Sequence, residues 1–185
     1  MIFDEYEIKY LISKNAYENL LELFSDSTVK TFEQVNYYYD TSNQRMRSKN
    51  VTVRVRDKNG KLTQTIKEHF RGTTHSKETS FRVDRVSNVI SYNDENLYLY
   101  GTLYTKRTEI NIIDGIKMML DYNKYLDTED YEFELEYELH NYEDGIRVIQ
   151  SLQPVLGSTE LLVVSEPKSE RFYKKFFESD RVCTV

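Results

Sequence analysis

Cysteine, proline and glycine are scarce in this 185-residue sequence, and tryptophan is absent. The single cysteine, Cys183, cannot form an internal disulfide, which excludes a disulfide-stapled secreted domain and favours a reducing compartment. Two prolines and six glycines leave no composition for long flexible linkers or low-complexity segments. The length fits one domain over residues 1–185, with room for a substantial core.

Long hydrophobic runs are also missing. No apolar stretch approaches the roughly eighteen residues of a membrane span, and the N-terminus lacks the basic and apolar regions of a signal peptide. The net charge of −6 gives no general attraction for nucleic acid or an anionic membrane. We therefore expect a soluble cytoplasmic protein, a monomer or homodimer, that binds neither nucleic acid nor membranes.

What the sequence has in quantity is aromatic and charged side chains, with 16 tyrosines, 9 phenylalanines and 30% charged residues. Tyrosine and phenylalanine favour β-strands. In the stretch 5–9, charged and apolar residues alternate, so a strand would place Glu5, Glu7 and Lys9 on one face. Comparable patterns predict further strands at residues 32–39, 51–56, 61–68, 77–85, 103–112, 116–121, 130–138 and 161–164.

Turn and helix signals divide these strands. Asn59-Gly60 predicts a tight hairpin, which in normal register puts Lys67 on the same sheet face as Arg54 and Arg56. The remaining signals predict helices at residues 15–24, capped by Ser13, at residues 141–153, and after Ser165-Glu166-Pro167. Between residues 86 and 101 the pattern weakens, and we expect turns or a short helix.

About eight strands and three helices, mostly joined by hairpin turns, predict a largely antiparallel α+β fold. No βαβ alternation or glycine-rich phosphate loop is present, which argues against a Rossmann or P-loop enzyme. Two arrangements satisfy the alternation. A sandwich would turn the charges to water, whereas a closed barrel would line its interior with them and cover its apolar outside with helices.

The charged faces separate by sign. Carboxylates suited to a hard divalent cation such as Mg²⁺ or Mn²⁺ are Glu5, Glu7, Asp121, Glu132, Glu134 and Glu136. Cations suited to phosphate oxygens are Lys9, Arg54, Arg56, Lys67 and Arg107. A complex of metal and polyphosphate needs both sets. Lys168 and Arg171 are neighbours on the last helix, and from spacing alone they are surface charges.

At this point the sequence resembles the CYTH, or triphosphate tunnel metalloenzyme, superfamily, in particular its small single-domain bacterial members. Residues 5–9 match its ExExK signature. Seven further elements follow in the expected order. The first three are an aromatic-Asp-Thr element (38–41), an alternating-arginine strand (53–56) and a strand ending in a phosphate-contacting lysine (62–67). The others are two further motifs (105–107 and 120–125), an acidic strand (130–136) and a closing basic helix (168–173). The resemblance covers nearly the whole chain.

The resemblance implies an eight-stranded antiparallel β-barrel with a charged interior and a few packing helices. It implies metal binding by Glu5, Glu7, Glu134 and Glu136, with the acidic strand uncertain by one pair because its glutamates run from Glu132 to Glu138. For Asp121 it implies either metal binding or a contact that holds an arginine. It implies triphosphate binding by Lys9, Arg54, Arg56, Lys67, Arg107, Lys168 and Arg171. Lys9 and Glu7 are the expected catalytic residues.

The leading hypothesis is a Mg²⁺- or Mn²⁺-dependent triphosphatase acting on inorganic, nucleoside or thiamine triphosphate. A CYTH-type adenylate cyclase, a polyphosphate polymerase, a nucleotide- or polyphosphate-binding module and a sandwich with solvated charges remain alternatives. The three histidines lie in unrelated contexts, so we expect no covalent intermediate. Replacing Glu7 by glutamine should abolish turnover and change stability little, because it relieves repulsion among carboxylates.

Overall fold

The computed structural model describes residues 2–27, 29–156 and 165–182, with side chains described up to residue 179. These ranges contain nine strands and four α-helices. The strands are β1 (Ile2–Ile12), β2 (Val29–Asp40), β3 (Val51–Lys58), β4 (Lys61–His69), β5 (His75–Arg82), β6 (Val89–Tyr92), β7 (Glu95–Ile113), β8 (Ile116–Tyr125) and β9 (Thr128–Tyr137). The helices are α1 (Lys14–Leu23), α2 (Arg45–Ser48), α3 (Tyr142–Leu156) and α4 (Lys168–Val182). The strand predicted at 161–164, and Cys183, lie outside the described residues.

Eight strands form a closed antiparallel barrel in the order β2-β3-β4-β5-β1-β9-β8-β7, and pairing of β2 with β7 completes the ring. Among the described strands, β6 pairs with β7 alone and lies outside the ring. The predicted α+β fold with an eight-stranded antiparallel barrel is confirmed. None of the described helices has the length and apolar character needed to cross a membrane.

The main hydrophobic core lies outside the barrel, because the apolar faces of the strands point away from its axis. Helices α1 and α3 cover the outer face of β1, β7, β8 and β9, where Ile8, Leu120 and Phe133 pack against Leu20 and Leu152. The opposite parity of the same strands faces inward and is charged. This is the barrel arrangement of the two that the alternation permitted.

Several local signals gave the right structure. The Ser13 hydroxyl accepts a hydrogen bond from the Ala16 amide and caps α1. Asn59 and Gly60 both have positive φ angles, 54° and 76°, as a type I′ hairpin turn requires. The turn sets the expected register, with Lys67 paired to Thr52, so Lys67 faces the barrel interior with the two arginines of β3.

The expectation of turns or a short helix between residues 86 and 101 is wrong. Residues 89–92 form β6 and residues 95–101 form the first part of β7, and a tight turn joins them. Asn93 and Asp94 adopt positive φ angles of 49° and 60° there. Their side chains tolerate the left-handed region through local hydrogen bonds, so the Asn-Asp pair makes the hairpin that an Asn-Gly pair makes elsewhere.

Helix α4 packs over one end of the barrel. Phe172 is fully buried and lies 5.3 Å, centroid to centroid, from the ring of Tyr38 on β2. Arg47 of α2 donates two hydrogen bonds to the Glu170 carboxylate, from Nε at 2.8 Å and from Nη2 at 2.5 Å. The start of α4 is thereby fixed, and Lys168 and Arg171 point into the barrel.

Gly101 on β7 permits this close packing. A Cβ atom at that position would lie 2.8 Å from Phe172 Cζ and 3.3 Å from Cε2. Because the Phe172 ring is fully buried and cannot move freely, Gly101→Ala should lower the free energy of unfolding by about 1–3 kcal/mol. Thermal unfolding measures this as a fall in Tm of roughly 2–10 °C. Thr102→Ala, an exposed neighbour on the same strand, should leave Tm nearly unchanged.

Candidate active site

The barrel encloses a charged cavity of about 240 Å³. Ten of the twelve predicted site residues line it: Glu5, Glu7, Lys9, Arg54, Arg56, Lys67, Arg107, Glu134, Glu136 and Lys168. Of the remaining two, Asp121 forms ion pairs with Arg107 and Lys168, and Arg171 contacts Asp130 and Glu132 on the acidic strand. The structure therefore brings all twelve together, although they come from six strands and one helix.

Glu7 lies at the centre of one ion-pair group. Its Oε1 is 2.6 Å from Lys9 Nζ and 2.7 Å from Lys67 Nζ, and Lys67 Nζ also lies 2.5 Å from Glu5 Oε2. Burial opposes ionisation of Glu7, but the charges of Lys67 and Lys9 outweigh it and lower the pKa of Glu7 from 4.5 to about 2. Glu7 is therefore a carboxylate at neutral pH.

These contacts contradict the reasoning that Glu7→Gln would leave stability almost unchanged. That reasoning considered only repulsion among carboxylates. The structure shows that Glu7 is the shared partner of two lysines, one of them buried. Removing its charge would leave both ammonium groups without that partner, and an uncompensated buried charge is destabilising.

A second acidic group lies deeper, towards α4. Oxygen atoms of Asp121, Glu132 and Glu134 lie within 4.8 Å of one another, and all three residues are buried. Lys168 contacts each of them, at 2.9 Å from Asp121 Oδ2 and 3.2 Å from Glu134 Oε2. Burial opposes ionisation of Asp121 and Glu134, but Arg107 and Lys168 hold the pKa of both carboxyls below the usual range. The group is a buried acidic cluster with positive charge at its centre.

Three glutamates of the acidic strand β9 contribute to the site, rather than the two that were predicted. Glu132 is fully buried and contacts Arg171 Nη1 at 2.6 Å. Glu136 is only partly buried and makes no ion pair with the described residues, and burial and then the charge of Glu5 raise its pKa. Glu138 follows the strand and is exposed. Glu132 therefore joins the site, although the predicted metal-binding set omitted it.

Two arginines on β3, Arg54 and Arg56, line the cavity with positive charge. Arg56 has no carboxylate partner among the described residues, and its Nε donates a hydrogen bond to Asn36 Oδ1 at 3.0 Å. Burial, followed by the charges of Arg54 and Arg107, lowers the pKa of Arg56 to about 9, so it stays charged at neutral pH. Arg54 lies 3.5 Å from Glu78, and its buried Nε has no hydrogen-bond partner in the described structure. Both guanidinium groups can therefore donate hydrogen bonds to a bound anion.

Comparison with known proteins identifies the family. The family model described as the CYTH domain matches residues 4–173. The chain belongs to the CYTH domain family.

Three individual proteins are similar to the chain. YjbK of Bacillus subtilis (strain 168), described as a candidate triphosphatase, is 26% identical over 164 residues, which are 80% of this chain and 84% of YjbK. The crystal structure of a candidate adenylate cyclase from Bacillus halodurans has a TM-score of 0.74 at 23% identity, covering 93% of this chain and 98% of that one. HpAC1 from Hippeastrum, a candidate adenylyl cyclase described as having a dominant triphosphatase activity, has a TM-score of 0.74 at 21% identity, covering 92% and 96%. These structural likenesses concern the fold.

The donor set of this CYTH barrel fits a hard divalent cation. Asp121, Glu132 and Glu134 offer only carboxylate oxygens, the ligands that Mg²⁺ and Mn²⁺ prefer. Glu5, Glu7 and Glu136 line the adjoining cavity and extend the oxygen-rich wall. Lys168 contacts all three members of the cluster, so a divalent cation bound there would share or displace that ammonium group.

His69 is a cavity residue that sequence reasoning placed in an unrelated context. Its Nε2 lies 3.2 Å from Thr52 Oγ1, and that hydroxyl lies 2.9 Å from Ser169 Oγ on α4. Burial, together with the charges of Lys67 and Lys9, lowers the pKa of His69 from 6.5 to about 4. The alternation along β4 could have predicted this position, because His69 has the same strand parity as Lys67.

This shift makes stability depend on pH. Between pH 6.5 and 4 the unfolded state binds a proton at His69 that the folded state excludes, so stability falls as the pH falls through that window. His69→Gln should remove about 1–2 kcal/mol of the stability lost between pH 6.5 and 4.5. Urea unfolding at both pH values measures the difference, and other groups that titrate in this window contribute to both proteins. Equal losses in the wild type and the variant would contradict the assignment.

Proposed function

We propose that this CYTH-domain protein is a divalent-metal-dependent triphosphatase that hydrolyses the terminal phosphoanhydride of a small triphosphate. The observation that carries the proposal is that carboxylates and cationic side chains line one cavity together. Buried carboxylates come from the adjacent strands β1, β8 and β9, while Arg54, Arg56 and Lys67 come from β3 and β4. A metal–triphosphate complex needs oxygen ligands on one side and cationic donors on the other.

The proposed metal ligands are Asp121, Glu132 and Glu134, with Glu5, Glu7 and Glu136 completing the acidic wall. Mg²⁺ or Mn²⁺, when bound, would neutralise phosphate charge that develops during the reaction. The protein's own contribution is to hold the substrate. Arg54, Arg56, Arg107, Lys67 and Lys168 would bind phosphate oxygens and keep the chain extended for in-line attack by water. Arg171, which does not line the cavity, would hold Glu132 in place.

Lys9 has a proposed role beside the reacting phosphate. Its ammonium lies 2.6 Å from Glu7 and borders the cavity. As an ion-paired cation it would donate hydrogen bonds that orient water or a phosphoryl oxygen, and Glu7 would fix its position. No serine–histidine or cysteine–histidine pair is involved in this scheme, so hydrolysis would proceed without a covalent intermediate.

Phosphate release from inorganic triphosphate, ATP and thiamine triphosphate tests the proposal, each with Mg²⁺, with Mn²⁺ and with EDTA. Release that EDTA abolishes supports a triphosphatase and ranks its substrates. Cyclic AMP made from ATP would indicate a cyclase instead. A rise in Tm with triphosphate but no product would indicate a binding module or polymerase. Single-domain extent over residues 1–185, a cytoplasmic location and a monomeric or homodimeric state stay predictions.

A further inference from the structure

A second cavity opens beside the charged one. It has a volume of about 250 Å³ and shares four lining residues with the barrel cavity: Glu7, Lys9, His69 and Pro167. Its outer wall is the β4–β5 loop. Because the two cavities share these residues, they lie next to each other around Lys9, and we call the second one the side cavity.

Three aromatic rings form a stack, and two of them, His75 and Phe70, line the side cavity. The rings of Tyr6 and His75 are 4.8 Å apart and 13° from parallel, and those of His75 and Phe70 are 4.6 Å apart and 19° from parallel. His75 Nε2 lies 2.7 Å from Asp4 Oδ1, which fixes the middle ring. Phe70, the outermost ring, lines the side cavity and remains 44% exposed. The stack thus ends in an accessible aromatic surface.

The loop next to the stack is also hydrogen-bonded to β1, the strand that carries the proposed catalytic residues. The Glu7 amide donates a hydrogen bond to the Thr74 carbonyl at 3.1 Å, which attaches the loop to β1. Within the loop, the Thr73 amide donates to the Phe70 carbonyl at 3.2 Å, and the Phe70 amide donates to the His75 carbonyl at 3.3 Å. The aromatic surface therefore has a defined position next to Glu7, and ordering it on binding costs little entropy.

We propose that the side cavity binds the flat aromatic head group of an organic triphosphate, stacked on Phe70 while the phosphates occupy the barrel. The inference rests on the proposed triphosphatase function and assigns its substrate class. A single exposed phenylalanine is ordinary on a protein surface. A fixed ring stack beside a cavity that adjoins the phosphate site is what a nucleobase or a thiamine ring requires, since either can stack on an aromatic side chain.

Polar groups around the side cavity suit the edges of such a ring. The side chains of Asn50 and Arg71 line it and make no hydrogen bond with the described residues. An amide and a guanidinium can pair with ring nitrogens and exocyclic groups. Inorganic triphosphate would use neither these groups nor the aromatic surface, so the side cavity favours an organic substrate.

The experiment measures binding by calorimetry and kcat/KM by phosphate release, for ATP, thiamine triphosphate and inorganic triphosphate. Phe70→Ala should weaken binding and lower kcat/KM about 10-fold or more for whichever organic triphosphate stacks there, as loss of one stacking contact does. Inorganic triphosphate should be unaffected. Phe81→Ala is the matched control, because Phe81 is similarly exposed at 46% and lies outside the side cavity.

Equal losses for inorganic triphosphate would overturn the inference, because they would show a general structural effect. So would unchanged binding of both ATP and thiamine triphosphate, or a wild-type protein that binds only inorganic triphosphate; that last result would leave the triphosphatase proposal intact. If the wild type hydrolyses nothing, the function fails separately, and binding of ATP and thiamine triphosphate to Phe70→Ala still decides the inference.

Discussion

Glu134→Gln is expected to lower metal-dependent phosphate release by at least about 100-fold, beyond the 10- to 100-fold typical of losing an outer partner of a metal ligand. Glu134 belongs to the buried acidic cluster and also contacts Arg107 Nη2 at 2.9 Å. Glutamine keeps the size of the side chain but removes the charge that a divalent cation needs. The assay is phosphate release at saturating Mg²⁺ or Mn²⁺, together with calorimetric titration of Mn²⁺.

Two controls separate this effect from misfolding. Glu138→Gln changes the exposed glutamate that follows the same strand and should retain full activity. Circular dichroism and Tm report the fold of Glu134→Gln, which should be less stable because Arg107 and Lys168 lose a buried partner. A folded Glu134→Gln protein with normal turnover and normal Mn²⁺ affinity would remove Glu134 from the metal site.

Arg56→Ala should raise KM and lower kcat together, with kcat/KM falling about 100- to 1000-fold. Arg56 lines the cavity without a carboxylate partner among the described residues, so its charge is available to the substrate. A group that holds phosphate in both the ground state and the transition state affects both constants. Steady-state kinetics on the best substrate of the phosphate-release assay measures the split.

Stability gives a further readout for the same variant. Burial and the neighbouring arginines disfavour the charge on Arg56, so Arg56→Ala should not lower Tm much in the absence of substrate. It should, however, reduce the rise in Tm that triphosphate produces in the wild type. Arg147→Ala removes an exposed arginine on α3 and serves as the control. An unchanged KM would place Arg56 outside the substrate site.

Sequence alternation predicted the barrel faces well, because a strand has a period of two wherever it lies. It could not determine depth along the barrel. Glu132 and Glu138 belong to one uniform run, and only the pairing of β9 with β8, which sets Glu132 opposite Asp121, puts the first inside and leaves the second outside. Pairing between strands is a long-range property, so a single strand does not carry it.

The basic helix α4 also shows what a local sequence pattern cannot predict. Spacing alone predicted that Lys168 and Arg171 are surface charges, and the family resemblance was needed to assign them to the site. Their positions depend on the packing of Phe172 over the end of the barrel and on the Arg47–Glu170 ion pair. These contacts join residues more than a hundred positions apart. No local pattern contains that information.

Because the core lies outside the barrel and the charges lie inside, each strand serves two purposes at alternate positions. Along β1, Tyr6 and Ile8 pack in the outer core, while Glu5, Glu7 and Lys9 line the cavity. Substitutions confined to the inward parity can therefore change the chemistry of the cavity without removing an apolar contact from the outer core. In a barrel of this kind the apolar packing is kept apart from the reacting groups, and cavity substitutions act on stability through the buried ion pairs.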